Sequence, residues 1–498
     1  VPRAGASASM QTRPTFDIWI LALYLAAVVG LGCWLARRNR TTNDFMAAGG
    51  TLPGWAVGLS IFGTYLSSNT FIGVPGKAYD GNWNGFVFSL SLPLAAWVAV
   101  KWFVPFYRRT GEISAYQHLE KRFGPWARTY ALGCYLLTQL ARVGTILFGV
   151  SLGLSALTGW SVPVIIVAGG IAVTVYTLVG GIAAVIWTDV IQSLVLLVGA
   201  LVIAGLLLAN HPHGPGEALH IAANEGKFSL GSFGLDLTQS TFWVVFLYGV
   251  FINLNNFGID QSFVQRYHAA RDEKAAARSV WTGALLYVPV AALFFLIGSL
   301  LFSYYHASPE LLEPLVAQYP DGHADKVLPH FIATQLPPGV AGLLIAAIFA
   351  AAMSSIDTSL NSAATVTLKD FVQRHLNRGK TEADALRLLR TATLVWGVLG
   401  TGVALAMIGQ KSLLDAWWKL SGIFAGGMLG LFLLGLISRR ANNAGALAGV
   451  IVGVLVICWM TFPDQLPEAL RSPFHAHMIT VISTLTIFGV GVACSRTR

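Results

Sequence analysis

The chain has 498 residues, of which 55% are hydrophobic and 11% charged, with a mean hydropathy of +0.64 and a net charge of +9. A water-soluble domain carries about 25% charged residues, so this composition tells against a soluble module and makes lipid the solvent. The positive charge sits in short loops between apolar runs, as topology signals do, and does not form a basic face for nucleic acid.

Residues 1–9, VPRAGASAS, read as an expression-tag remnant, which puts the natural start at Met10 and leaves residues 10–498 as a single transmembrane domain. About 20 apolar residues cross a bilayer as a helix. Runs of that kind occupy 16–36, 54–78, 83–107, 126–156, 161–179, 183–209, 240–258, 279–305, 339–366, 390–408, 414–437, 442–461 and 474–494. Thirteen spans place the two termini on opposite sides. One set of alternate loops, with the C-terminal tail, holds 21 Lys and Arg, including Arg37, Arg38, Arg40, Arg439 and Arg440; the other set, with the N-terminus, holds 7. The positive-inside rule makes the rich side cytoplasmic, with the N-terminus outside. The longest outside connections are 210–239 and 306–338. Cys33, Cys134, Cys458 and Cys494 lie in or beside apolar runs without CxxC spacing and read as packed, reduced residues.

Polar groups at membrane depth are costly and mark function by default. In the second span, residues 58–71 bring Gly58, Gly63, Ser67, Ser68, Asn69 and Thr70 into one stretch, which weakens a continuous helix. Transporters place ligands at such interruptions, where carbonyls lose their helical partners. The plain alternative is Ser and Thr bonding back to their own helix. In the ninth span, Ala351, Ser354, Ser355 and Thr358 recur on one face with Asp357 beside them. Such an oxygen-rich stripe suits a hard cation, whereas a packing stripe explains the serines but not Asp357. Asp189, two turns into the sixth span, needs a partner, for which a sodium ion or the cytoplasmic interface would serve. Arg142, mid-span, offers a planar fork for a carboxylate; the alternative is a structural pair with a buried acid. Asn253, Asn255, Asn256 and Gly258 suggest a second interrupted helix, where amides bond solute hydroxyls or bridge helices.

Three runs carry a resemblance: YTLVGGIAAVIWTDVIQ (176–192), GIDQSFVQRY (258–267) and AAIFAAAMSSIDTSLNS (346–362). In that order they resemble the sodium:solute symporter family. The resemblance implies an all-α transmembrane, LeuT-type fold of two inverted five-helix repeats, approximately 54–209 and 240–437, with further helices outside them. It also implies a first sodium site from the carbonyls of Gly63, Leu66 and Ala351 with the hydroxyls of Ser354 and Ser355. A second site, present in some members, would comprise Asp189, Ser354, Asp357 and Thr358, with Asp357 in place of the expected hydroxyl; one or two sodium ions would therefore couple transport. The stretch ISAYQHLEKRF (113–123), followed by Ala141–Val143, resembles the bacterial sialic acid symporters. In these, the equivalent of Arg142 holds the substrate carboxylate, with hydroxyls at Ser67 and Thr70. Tyr65 departs from their small hydroxyl residue, Gly85 from a bulky aromatic and Ser89 from a glutamine.

The reading is sodium-coupled symport of a small polar solute by a bacterial inner-membrane carrier, not an enzyme. Tyr65, Ser67, Thr70, Ser89, Arg142, Asn253 and Asn256 are the candidate solute residues. A carboxylated sugar such as sialic acid comes first, and the alternatives are a neutral sugar or polyol, or a monocarboxylate or vitamin. Partners are the solute and the lipid bilayer, with no nucleic acid and no obligatory protein partner. A cation channel would lack saturable, solute-dependent sodium flux. A membrane enzyme would need a metal motif or a nucleophile–base pair, and the spans contain neither.

Overall fold

Glycine and proline set most of the breaks between the helices. The structure, a computed structural model, describes residues 13–36, 41–67, 69–320, 322–337, 339–376, 381–409, 413–462 and 465–495. The proposed start at Met10, the Arg37–Arg40 loop, Ser68, Lys411 and the Arg496–Arg498 tail lie outside them.

The spans are α1 (Arg13–Ala36), the pair α2 (Gly54–Tyr65) and α3 (Val74–Asp80), α4 (Trp83–Thr110) and α5 (Pro125–Thr158). They continue with α6 (Val162–Ala209), α7 (Phe242–Ile259), α8 (Gln261–Ala269) and α9 (Glu273–Ala307). The last are α10 (Val340–Val366), which runs on as π-helix to Val372, α11 (Glu382–Ala406), α12 (Leu413–Ile437), α13 (Asn443–Thr461) and α14 (Met478–Ala493). Among the described residues, nine helices are long and apolar enough to cross a membrane, and shorter apolar helices lie at 16–32, 162–175 and 478–493. The broken α2–α3 supplies one more, so thirteen spans stand where the hydropathy put them. Outward-facing Trp19, Leu23, Val398 and Leu455 are each more than half exposed, as surface in contact with lipid requires. Among the described cysteines, Cys134, Cys458 and Cys494 are free, but Cys458 and Cys494 are exposed and not packed inside.

α6 is two spans joined without a loop. Gly181 stands at φ +59° and ψ 178°, a conformation essentially closed to side chains, and it turns the chain between two helical limbs. α10 is the central pillar: 89% of its most apolar stretch is buried, against 28% for the peripheral α11. It lies against the second limb of α6, where a side chain at Gly199 would come within 2.8 Å of the Ala347 methyl. α9 braces both halves of the broken span, because a side chain at Gly283 would overlap Ile61 on α2 and one at Gly298 would overlap Pro75 and Ala78 on α3. Small residues thus bring backbones together where lipid gives no hydrophobic drive.

Gly181→Ala should destabilise the fold by about 1–3 kcal/mol, the cost of one strained residue. The check is thermal unfolding of the detergent-purified variant; an unchanged midpoint would show that the turn between the limbs does not need this conformation.

Candidate ion and solute site

The helix of α2 stops at Leu66, whose backbone is extended (φ −93°, ψ 115°). Its N–H still reaches the carbonyls of Phe62 and Gly63, but the Leu66 carbonyl has left the helical ladder. α10 passes alongside. Ser354 Oγ lies 3.4 Å from the Gly63 carbonyl and 3.1 Å from that of Ala351. Ser355 Oγ lies 3.2 Å from the Leu66 carbonyl and 3.4 Å from that of Ala351. Gly63, Leu66, Ala351, Ser354 and Ser355 therefore present five oxygens to one another, as the family pattern implied. Ligand oxygens about 2.4 Å from a hard cation sit roughly 3.4 Å apart on neighbouring corners, so the spacing fits such an ion. The five donors include no carboxylate, which suits a monovalent ion better than a divalent one. Among the described residues, no cluster of three His, Cys, Asp or Glu offers an alternative metal site.

A cavity of about 90 Å³ adjoins this point, at mid-depth between α2, the π-turn Asn69–Gly73, α4, α5, α7, α9 and α12. Tyr65, Ser67, Thr70, Ser89, Arg142 and Asn256 all line it, as does Ser355 of the ion site. Asn253 does not. Its amide donates to Ser91 Oγ at 3.0 Å, bridging α7 to α4, because a fully buried amide takes the nearest partner. Tyr65 packs edge-on against Phe257 and Phe263 and at a tilt against Tyr287, which closes the cavity on the side where a small hydroxyl residue would leave it open.

Arg142 is buried, with one guanidinium nitrogen, Nη2, 3.7 Å from Asp260 Oδ2 and the group 5.4 Å from the Trp417 ring centroid. Its other nitrogen, Nη1, has no hydrogen-bond partner. Neither has Asn69 Oδ1, on another lining residue. A buried donor and a buried acceptor left open at one cavity mark a ligand's place, since an unpaired buried polar group costs about 1–3 kcal/mol. The roof is aromatic. Phe88, Tyr248, Phe295, Trp417 and Trp418 line the cavity, and His477 stacks on Tyr248. Beyond Gly85 and Trp418 opens a second space of about 620 Å³, bordered by Lys77, Lys419, His475 and His477. Sequence reasoning missed this roof because aromatics near span ends read as interfacial anchors.

Asp189, Asp357 and Thr358 meet a different environment. The fully buried Arg266 of α8 donates to Asp189 Oδ2 at 3.0 Å, to Thr358 Oγ1 at 2.8 Å, to Ser60 Oγ at 2.9 Å and to the Ser262 carbonyl at 2.8 Å. Ser60 Oγ in turn donates to Asp189 Oδ2. Asp189 Oδ1 remains without a partner, and Asp357 Oδ1 accepts from the Thr358 N–H at 2.6 Å. The partner that Asp189 needed is an arginine. Its signal lay in the sequence, as the arginine of the run 258–267, but nothing in the spacing tied it to a residue 77 positions earlier.

Comparisons with known proteins show the family and the fold. The chain is 35% identical over 480 residues to the sodium/sialic acid symporter NanT of Aliivibrio fischeri, covering 96% of this chain and 94% of that one. It is 34% identical over 472 residues to the sodium/sialic acid symporter SiaT of Proteus mirabilis, covering 94% of each. A solved structure of a Na+-coupled sialic acid symporter, substrate-bound and outward-open, superposes with a TM-score of 0.88 at 32% identity over 96% of this chain and 97% of that one. The nucleobase-cation-symport-1 transporter Mhp1, in a closed conformation, shares the fold at a TM-score of 0.57 and 16% identity, covering 91% of this chain and 94% of that one. The helices therefore form the LeuT-type arrangement of inverted repeats. The family model of the sodium:solute symporters matches residues 45–453, and the chain belongs to the sodium:solute symporter family.

Proposed function

We propose that this chain couples the inward movement of sodium to that of a carboxylated sugar, sialic acid first, across a bacterial inner membrane. The observation that carries the solute class is the unpartnered Nη1 of buried Arg142 at the cavity wall. A carboxylate there would complete a charge-assisted pair, and Ser67, Thr70, Ser89, Asn69 and Asn256 would meet hydroxyls of the sugar. Sodium/sialic acid symporters stand among the relatives named above, which supports the same solute. Sodium would bind at the five oxygens around Leu66, and each inward charge contributes about 2.3 kcal/mol per 100 mV. The asymmetry of Lys and Arg supports an N-terminus outside and a C-terminus in the cytoplasm. We take 54–209 and 240–437 as the two repeats, and transport as requiring no protein partner.

The 3.7 Å contact of Arg142 with Asp260 favours a second reading, in which the arginine is internally paired and the solute is a neutral sugar. Arg142→Ala separates the two. On the first reading it weakens sialic acid binding by roughly 30-fold or more, the loss of a buried charge pair, while any neutral-sugar binding persists. Thermal stabilisation of purified protein by each solute, in sodium and in potassium, reads this out; undiminished sialic acid binding in the variant removes the carboxylate role.

Ser355→Ala should raise the sodium concentration for half-maximal uptake roughly tenfold or more, through loss of one ligand to a charged partner. Uptake into proteoliposomes over a sodium series measures it, and an unchanged half-saturation would place the coupling ion elsewhere. For the Asp189 network, Arg266→Gln strands a buried carboxylate and should cost about 3–5 kcal/mol. Adding Asp189→Asn should restore part of the lost thermal stability. No recovery in the double variant would mean that Arg266 acts through Ser60, Ser262 and Thr358 alone.

A further inference from the structure

The surface between α4, α7 and α12 carries a feature outside the candidate ion and solute residues. A groove of about 850 Å³ runs along the lipid-facing surface between α4, α7 and α12, floored by Val98, Phe103, Phe106, Leu254, Leu433 and Leu436. Two cations border it, Lys101 and Arg109, both on α4. α4 turns into a π-helix over Ala99–Phe103, around Lys101, the kind of bulge that recurs at functional sites. Lys101 faces outward nine residues before the end of α4, about 13 Å from the basic end of the bundle.

An ammonium group at that depth against lipid is costly unless it snorkels to the interface or meets a counter-charge. Among the described residues no carboxylate pairs with Lys101. Its Nζ instead lies 5.1 Å from the Trp97 ring centroid and 4.8 Å from that of Trp102, and these two rings, both nearly half exposed, meet edge to face. Arg109 makes only a loose 3.7 Å contact with Glu273, in which both side chains are well exposed. Such a surface pair is worth little and leaves the guanidinium open to a second anion.

We propose that this groove binds one anionic glycerophospholipid, with its phosphate between Lys101 and Arg109 and an acyl chain along the apolar floor. Two cations one above the other on α4 match a headgroup of net negative charge, and the groove below them matches hydrocarbon. A zwitterionic headgroup would bring its own ammonium against them, and free inorganic phosphate would forgo the apolar floor. The occupant touches α4, α7 and α12, three helices that also line the solute cavity.

The test uses the full chain, purified in detergent and stripped of lipid. Native mass spectrometry would follow titration with phosphatidylglycerol, phosphatidylcholine of the same acyl chains, and inorganic phosphate. Phosphatidylglycerol should hold one site more tightly than phosphatidylcholine, by roughly fivefold for each cation engaged. The Lys101→Gln, Arg109→Gln double variant should lose that one tightly held phosphatidylglycerol and keep its sodium-dependent stabilisation by solute, which shows that it remains folded. Equal retention of the two lipids, or an undiminished preference in the double variant, overturns the proposal. Inorganic phosphate displacing phosphatidylglycerol at equal concentration overturns it as well, by reducing the site to a free-anion contact.

Discussion

The mechanism depends on one interruption. Where α2 ends at Leu66, the backbone turns carbonyls out of the helical ladder and toward the hydroxyls of Ser354 and Ser355 on α10. A buried carbonyl without a partner is expensive in a membrane, so this junction is satisfied either by those hydroxyls or by a cation that they and the carbonyls share. Ser355 also lines the solute cavity, and Ser67 and Thr70 follow directly on the break. An ion held at this junction and a solute in the cavity would thus meet at one short stretch of chain. On the reading proposed above, the ion would fix the geometry of the residues that face the solute, and coupling would need no longer pathway than that.

The rest of the bundle holds this stretch in place. α10 is buried nearly all round, so its serines have little freedom to follow the chain if α2 moves. α9 packs on both halves of the broken span through glycines that leave no room for slack. Irregular backbone at membrane depth is tolerated only where protein or a water-filled cavity surrounds it, and here it is enclosed by packed helices and borders the cavity. The second break, at Asp260 between α7 and α8, is built differently. Asp260 caps α8 by accepting from the Ser262 N–H at 2.8 Å, and its other oxygen faces Arg142. One carboxylate therefore satisfies a helix end and tethers the arginine that would receive a solute.

What could be read beforehand follows from the range of each signal. Hydropathy is local, and the spans appeared where the apolar runs lie, with the turn at Gly181 falling between the runs 161–179 and 183–209. The clusters around Gly63 and Ser354 were visible because glycine and hydroxyl residues are out of place in a lipid-spanning helix. Their meeting in space was legible only through resemblance to a family, since 291 positions separate Gly63 from Ser354. Partners of single residues were not legible. Asn253 and Asn256 looked equivalent in sequence, yet one bridges to Ser91 and the other faces the cavity. That choice rests on a difference of three positions around a helix whose orientation no local pattern reveals.

The packing around the cavity shows which of its walls can give way to a solute. α2 and α10 are tied by the contacts of Ser354 and Ser355 with the Gly63 and Leu66 carbonyls. The roof consists of aromatic rings meeting at centroid distances of 4.6–6.3 Å through Tyr248, Phe88, Trp418 and His477. Ring contacts of this kind are each worth about 0.5–1.5 kcal/mol, small enough for a bound solute to replace. Gly85 lies under the roof, where a side chain would come within 3.0 Å of Phe295 and 3.3 Å of Trp418. An aromatic at that position would wedge the roof; glycine lets Trp418 settle over the cavity, with the basic 620 Å³ space directly beyond it. The substitutions that distinguish this pocket thus act on its closure as well as on its contacts. Arg142, which would receive a carboxylate on the reading proposed above, lies in the cavity beneath this aromatic roof.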